Sequence, residues 1–90
     1  MSVTILVRHE VRDFDNWKAV FDSAVAMRQA GGEIAAQVFR DIDNPNIVTI
    51  INTWDSLENA QAFLGNPDLR NAMEQGGVIG EPHMHFMNNA

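Results

Sequence analysis

A chain of 90 residues, with 46% hydrophobic and 20% charged residues, has the composition of one small globular domain spanning residues 1–90 and not of a disordered chain. The absence of cysteine excludes disulfides, thiol chemistry and cysteine-ligated metals. A net charge of -6 argues against nucleic acid and anionic membranes as partners, because both bind basic surfaces.

The first half of the chain predicts a strand, a helix and a second strand. Residues 3–11 are rich in β-branched residues and alternate in part, which is typical of a strand with both faces covered. Asp13 or Asp15 is suited to cap a helix whose apolar residues recur every three or four positions as far as Met27. Gly31-Gly32 ends that helix, and residues 34–40 alternate again as a second strand.

The second half repeats the pattern. After a turn at 41–46, the near-continuous β-branched run at 47–54 predicts a central strand. Asp55 or Ser56 begins a second helix, which Gly65-Asn66-Pro67 interrupts, with Asn66 as the cap of a new segment. Gly76-Gly77 stops this segment, residues 78–81 are expected to form a loop, and residues 82–87 form a last strand.

The predicted order β-α-β-β-α-β is that of an α+β, ferredoxin-like fold. Its four-stranded antiparallel sheet usually has the first and third strands in the centre, the fourth beside the first, and helices on one face only. The other face is apolar enough to need a cover, and a second copy of the chain is the simplest one. We therefore expect a homodimer.

Several segments spread over nearly the whole chain resemble a known family. They are residues 7–11 (VRHEV), 13–18 (DFDNWK), 53–56 (TWDS), 62–64 (AFL), 66–73 (NPDLRNAM) and 80–82 (GEP). In these the chain resembles the dimeric α+β barrel superfamily, in particular small stand-alone proteins of the antibiotic biosynthesis monooxygenase type. The resemblance implies a dimeric α/β barrel. It also implies one of several functions: cofactor-independent oxidation of aromatic polyketides, heme degradation, lactone isomerisation, or no known activity.

Two of these functions can be compared with the chain residue by residue. The heme-degrading members resemble it at the tryptophan that closes the third strand, here Trp54, but their heme-ligating histidine lies in the second helix. That helix, residues 57–75, contains no histidine here, which argues against heme degradation. The polyketide monooxygenases hold a planar phenolic substrate between sheet and helices. For such a pocket this chain offers Trp17, Trp54, Asn52 and its histidines, including His85. It has no tyrosine, and its residues do not match a complete catalytic set.

His9 is the strongest candidate for a catalytic residue. It occupies an apolar parity of the first strand, where a neutral imidazole with an ordinary pKa of about 6.5 suits a general base. The alternative is a structural histidine bonded to a carboxylate such as Glu10 or to a dimer partner. Asn52 is unusual inside an apolar strand, because a buried amide needs partners, which a substrate or the sheet itself can provide. For Trp17 and Trp54 the alternative to substrate binding is packing in the core.

A metal site is a further hypothesis. His9, His83 and His85 lie on the first and last strands, which are antiparallel neighbours in this fold. If the register brings them together, three imidazoles can hold a metal with an open position. A shift of one residue instead places His9 on the opposite face.

Three functional hypotheses follow. The first is an enzyme of the monooxygenase or cyclase kind that needs no bound cofactor and acts on an apolar or aromatic small molecule. The second is a non-catalytic ligand-binding or stress-related protein, and the third is a metal-binding protein that uses the histidines. No apolar run is long enough to span a bilayer, and the N-terminus lacks a signal-peptide pattern. We therefore expect a cytoplasmic protein with no membrane partner.

Overall fold

The structure is a computed structural model that describes residues 2–90, and Met1 lies outside the described residues. Its elements follow the order β-α-β-β-α-β, with each helical connection divided into two helices. They are β1 (Val3–Val11), α1 (Phe14–Ser23), α2 (Val25–Ala30), β2 (Glu33–Arg40), β3 (Ile47–Trp54), α3 (Leu57–Leu64), α4 (Pro67–Gln75) and β4 (Val78–Met87). The α+β, ferredoxin-like fold predicted from the sequence is confirmed.

The sheet has the strand order β2-β3-β1-β4, and every neighbouring pair is antiparallel. The first and third strands are therefore central, as the sequence predicts. Along both central strands buried residues alternate with more exposed ones, because the helices cover a single face. We call this covered side the cavity face. The opposite side, the open face, carries Leu6, Phe39, Ile51 and Met87.

The helix starts follow the capping residues in the sequence. Between the two candidates for each helix, Asp13 accepts a hydrogen bond from the Asn16 amide at 3.0 Å, and Ser56 accepts one from the Asn59 amide at 3.1 Å. The predicted interruption before Pro67 is also present. The first helix, however, is predicted to be continuous and instead breaks at Ala24, where the backbone has φ -90° and ψ 8°.

The last strand is longer than expected. Residues 78–81, predicted as a loop, are part of β4 and pair with β1 through Val11↔Val78 and Glu10↔Ile79. The pairing continues through a bulge, because two steps along β1 from Arg8 to Glu10 correspond to four along β4. Gly80 lies in the bulge with φ +71°, a conformation that favours glycine. The residues that look like strand breakers in the sequence are therefore accommodated inside the strand.

The core consists of two clusters on the cavity face. One comprises Val3, Ile5, Trp54, Ala60 and Phe63, and the other comprises Val11, Trp17, Val48 and Ile50. Val7, which is half-buried, packs against both clusters. No helix within residues 2–90 combines the length and the apolar character needed to cross a membrane.

Candidate functional site

A cavity of about 100 Å³ lies where the two core clusters meet. Its walls are mainly apolar and come from β1, β3, β4 and all four helices, including Ile5, Val20, Ile50, Phe63, Leu69 and Met84. An apolar cavity of about 150 Å³ holds benzene, whereas sites for drug-sized ligands start at about 300 Å³. The volume of the cavity is therefore close to that needed for a ligand with a single aromatic ring.

Three polar atoms around this apolar cavity are buried and have no hydrogen-bond partner among residues 2–90. They are His9 Nδ1, Asn52 Oδ1 and Trp54 Nε1. All three residues line the cavity, and at most 8% of the surface of any of them is exposed. Because a buried polar atom normally has a partner, three such atoms around one cavity suit a ligand that supplies the missing hydrogen bonds.

His9 lies near the end of β1 and is buried against the aromatic side chains of α1. Its ring meets the Trp17 ring edge to face, with the ring centres 5.5 Å apart and the planes at 68°. Burial lowers the pKa of His9 below its ordinary value of 6.5, because the charged imidazolium is poorly solvated there. The imidazole is therefore neutral near pH 7 and able to accept a proton.

Asn52 is oriented by a buried ion pair that the sequence analysis missed. Its Nδ2 lies 3.2 Å from Glu33 Oε2, and Glu33 Oε1 in turn lies 3.0 Å from Arg28 Nε. All three residues are buried, with 8–9% of their surfaces exposed. A signal was present in the sequence, because Arg28 continues the three- and four-residue spacing of the apolar positions Phe21 and Ala24.

The two tryptophans line the cavity from different elements. Trp54 is the last residue of β3, and its ring packs on Phe63 with the ring centres 4.8 Å apart. Trp17 is in the first half of α1 and stacks on Phe21 at 5.0 Å. The fold therefore brings four sequence-predicted residues to one cavity: His9, Trp17, Asn52 and Trp54.

The three histidines, whose convergence depended on the strand register, do not meet in the sheet. In the pairing of β1 with β4, His83 lies opposite Arg8 and His85 lies opposite Leu6. Both histidines therefore point to the open face, whereas His9 points to the cavity face. Both are exposed, and within residues 2–90 no three side chains of the metal-binding types converge. The register that the three-histidine hypothesis requires is therefore not present within residues 2–90. His85, also predicted to contact the substrate, does not line the cavity.

Comparison with known proteins agrees with this architecture. The model of the antibiotic biosynthesis monooxygenase family matches residues 3–75. A structure from Bordetella bronchiseptica named for the same family superimposes with a TM-score of 0.84 at 15% identity and covers 99% of this chain and 97% of its own. SnoaB from Streptomyces nogalater, named as a cofactor-independent oxygenase, superimposes with a TM-score of 0.77 at 17% identity. The match covers 99% of this chain and 95% of SnoaB.

The similarity also extends to a conserved protein from Methanosarcina mazei. It has a TM-score of 0.78 at 12% identity and covers all of this chain and 94% of its own. At such identities the structural likeness shows the shared fold alone. Among curated proteins no sequence matches the chain.

Proposed function

Because the chain belongs to the antibiotic biosynthesis monooxygenase family, we propose that it oxidises a small aromatic molecule with molecular oxygen and needs no bound cofactor. The observation that carries the proposal is the cavity, where His9 Nδ1, Asn52 Oδ1 and Trp54 Nε1 are buried in mainly apolar walls without partners among residues 2–90. Apolar walls with a few convergent polar atoms are the usual design of a site that binds and orients a small molecule. The name of SnoaB as a cofactor-independent oxygenase supports the same chemistry.

His9 is the proposed catalytic base. A neutral imidazole takes the proton of a phenol hydroxyl, and the resulting phenolate is electron-rich enough to react with oxygen. The ring carbon then forms a bond to oxygen, the O–O bond breaks, and the ring C–H proton is lost. One oxygen atom remains in the product as a quinone carbonyl, and the other leaves as water. The substrate itself supplies all the electrons, so the reaction needs no external reductant.

Oxygen uptake with a panel of single-ring phenols tests the proposal. We expect one molecule of oxygen to be consumed for each quinone formed, with one atom of ¹⁸O from labelled oxygen in the product. The methyl ethers of the same phenols are matched controls, because they fit a similar space and have no hydroxyl proton to lose. If the phenols stabilise the protein thermally but no oxygen is consumed, the protein is a ligand-binding module and the oxygenase proposal fails.

We further propose that the protein is a homodimer whose two sheets meet through their open faces. Phe39 is 47% exposed and Met87 is 36% exposed, while Leu6 and Ile51 beside them are half-buried. A chain of 90 residues without disulfides gains stability by covering such a surface with a second copy.

Light scattering at micromolar concentration tests the dimer. We expect a dimer for the wild-type protein and a monomer for Ile51→Lys, because the substitution places a charge at the centre of the open face. Ile42→Lys is the control, because it makes the same chemical change at a residue that is fully exposed in the turn between β2 and β3. A wild-type monomer, or a dimer in the Ile51 variant, contradicts the proposed interface.

A further inference from the structure

Arg28 lines the cavity, and the buried Arg28–Glu33 pair contacts Asn52, whose amide is part of the cavity wall. We propose that Glu33, held by Arg28, is a positioning residue that sets the hydrogen-bond polarity of the site. It turns the Asn52 amide so that the oxygen faces the cavity, and the site therefore selects ligands that donate a hydrogen bond at that point. The inference rests on the proposed function only in taking the cavity as the place where the ligand binds.

Arg28 is fixed from three directions. Its Nε lies 3.0 Å from Glu33 Oε1, its Nη1 donates to the backbone carbonyl of Phe21, and its guanidinium lies 3.7 Å from the centre of the Phe21 ring. The side chains of Arg28 and Glu33 are only 9% and 5% exposed. A pair buried to this degree has little freedom to rearrange, so the second carboxylate oxygen of Glu33 is held at a defined place.

That oxygen determines how the Asn52 amide is turned. A carboxylate paired with arginine only accepts hydrogen bonds, so at 3.2 Å from Glu33 Oε2 the Asn52 side chain must present its NH₂ group. The amide oxygen is then directed away from Glu33. In agreement with this, Asn52 Oδ1 is buried without a partner among residues 2–90. A ligand that donates to this oxygen removes the cost of leaving it unpaired, whereas a ligand with only an acceptor there does not.

Glu33→Gln is expected to invert this polarity. Arg28 still requires an acceptor, so the introduced glutamine turns its side-chain oxygen to Arg28 and its NH₂ group to Asn52. Asn52 then accepts with its oxygen and presents its NH₂ group to the cavity. The substitution changes size very little, so the predicted effect on the cavity is a change of hydrogen-bond direction.

Pyrrole and furan are suitable probes because they are single rings of matched shape. Pyrrole presents an N–H donor where furan presents an oxygen acceptor. We expect Glu33→Gln to change the ratio of their dissociation constants roughly tenfold in favour of furan, as titrations followed by NMR will show. Trp54 Nε1 donates in both proteins, so its contribution cancels in this comparison. Glu74→Gln removes the same charge from an exposed position in α4 and is expected to leave the ratio unchanged.

A double-mutant cycle tests whether the effect acts through Asn52. On an Asn52→Leu background, Glu33→Gln is expected to leave the pyrrole-to-furan ratio unchanged, because no amide remains to be turned. Arg28→Lys keeps a cation and an accepting carboxylate, and it is expected to retain the wild-type ratio. An unchanged ratio in a folded Glu33→Gln protein, or the same change on the Asn52→Leu background, would overturn the proposal.

The amide orientation is also measurable without any ligand. In the wild-type protein we expect nuclear Overhauser contacts between the Asn52 NH₂ protons and the Glu33 side chain, and in Glu33→Gln contacts with the cavity walls. Wild-type contacts with the walls instead contradict the inference, even if the variant fails to fold. This measurement involves neither oxygen nor substrate. If the amide contacts are as expected but the protein has no oxygenase activity, the proposed function is refuted and the inference about Glu33 stands.

Discussion

Each face of the sheet holds an arginine–carboxylate pair. The pair with the shorter hydrogen bonds is the more exposed one, and the pair with the longer hydrogen bond is the more buried one. Beside the open face, Arg8 binds both oxygens of Asp41 at 2.8 Å, but the side chains are 45% and 33% exposed. On the cavity face, Arg28 and Glu33 make a single contact of 3.0 Å and are almost completely buried. In the single chain, the shorter, two-point pair is therefore the one that water reaches.

The environment, and not the bond length, decides what each pair contributes. Around Arg8 and Asp41 water solvates both charges whether or not they are paired, so the hydrogen bonds lower the pKa of Asp41 without adding much stability. Arg28 and Glu33 have given up most of their water, so each charge depends on the other. The buried pair also orients Asn52 at the cavity, whereas the exposed pair connects the central strand β1 to the residue after β2.

The largest expected difference between the two faces is in the reaction rate after substitution of His9 or of His83. His9→Gln keeps a polar side chain of similar size but removes the proton acceptor. We expect the kcat/KM of the proposed oxidation to fall by a factor of about 10²–10⁴, the usual contribution of a general base. The matched substitution His83→Gln alters a histidine that does not line the cavity, and we expect it to leave the rate unchanged. Equal losses in both variants contradict a catalytic role for His9.

The next difference concerns stability. Arg28→Met leaves Glu33 as a buried charge without its partner, so we expect the free energy of unfolding to fall by about 3–5 kcal/mol. In the Ile51→Lys background, where the open face is expected to be uncovered, Arg8→Met makes the same chemical change at the pair that is exposed in the single chain, and we expect no resolvable loss there. Urea titrations of both variants measure the difference. If the two variants lose equal stability, burial does not distinguish the pairs as argued.

Local sequence patterns account for most of the fold and for part of the site. The bounds of β1 and β3 are those predicted, because β-branched composition and alternation act within a single strand. The same alternation places His9 on the covered parity of β1, and Asn52 and Trp54 share a parity of β3. Side chains that share the covered face of neighbouring strands converge once those strands pair.

The features that the sequence analysis missed depend on contacts between distant segments. The positions of His83 and His85 follow from a bulge between β1 and β4, and neither strand specifies that register alone. The Arg28–Glu33 pair becomes visible only when α2, β2 and β3 are packed together, because the spacing that places Arg28 on the covered helix face does not specify which carboxylate it meets. The local sequence therefore does not predict which residues of two strands lie opposite each other, or which buried charges pair.

The smallest expected difference between the faces is in the pH dependence of stability. Burial lowers the pKa of His9 in the folded protein below 6.5, so the unfolded chain binds a proton at a higher pH than the folded one. As the pH falls below about 6.5, the free energy of unfolding decreases, by at most about 1.4 kcal/mol per pH unit for one proton. The decrease ends once the pH is below the folded pKa, because His9 is then protonated in both states.

Urea titrations between about pH 7.5 and about pH 5 isolate this effect when His9→Gln is compared with His83→Gln. Both variants keep every carboxylate of the chain, so the slope that His9→Gln loses belongs to His9. His83→Gln changes a histidine outside the cavity and is expected to keep the wild-type slope. A wild-type slope in the His9 variant would mean that the histidine is solvated when the protein is folded. That result would also remove the reason for expecting a neutral base at the cavity.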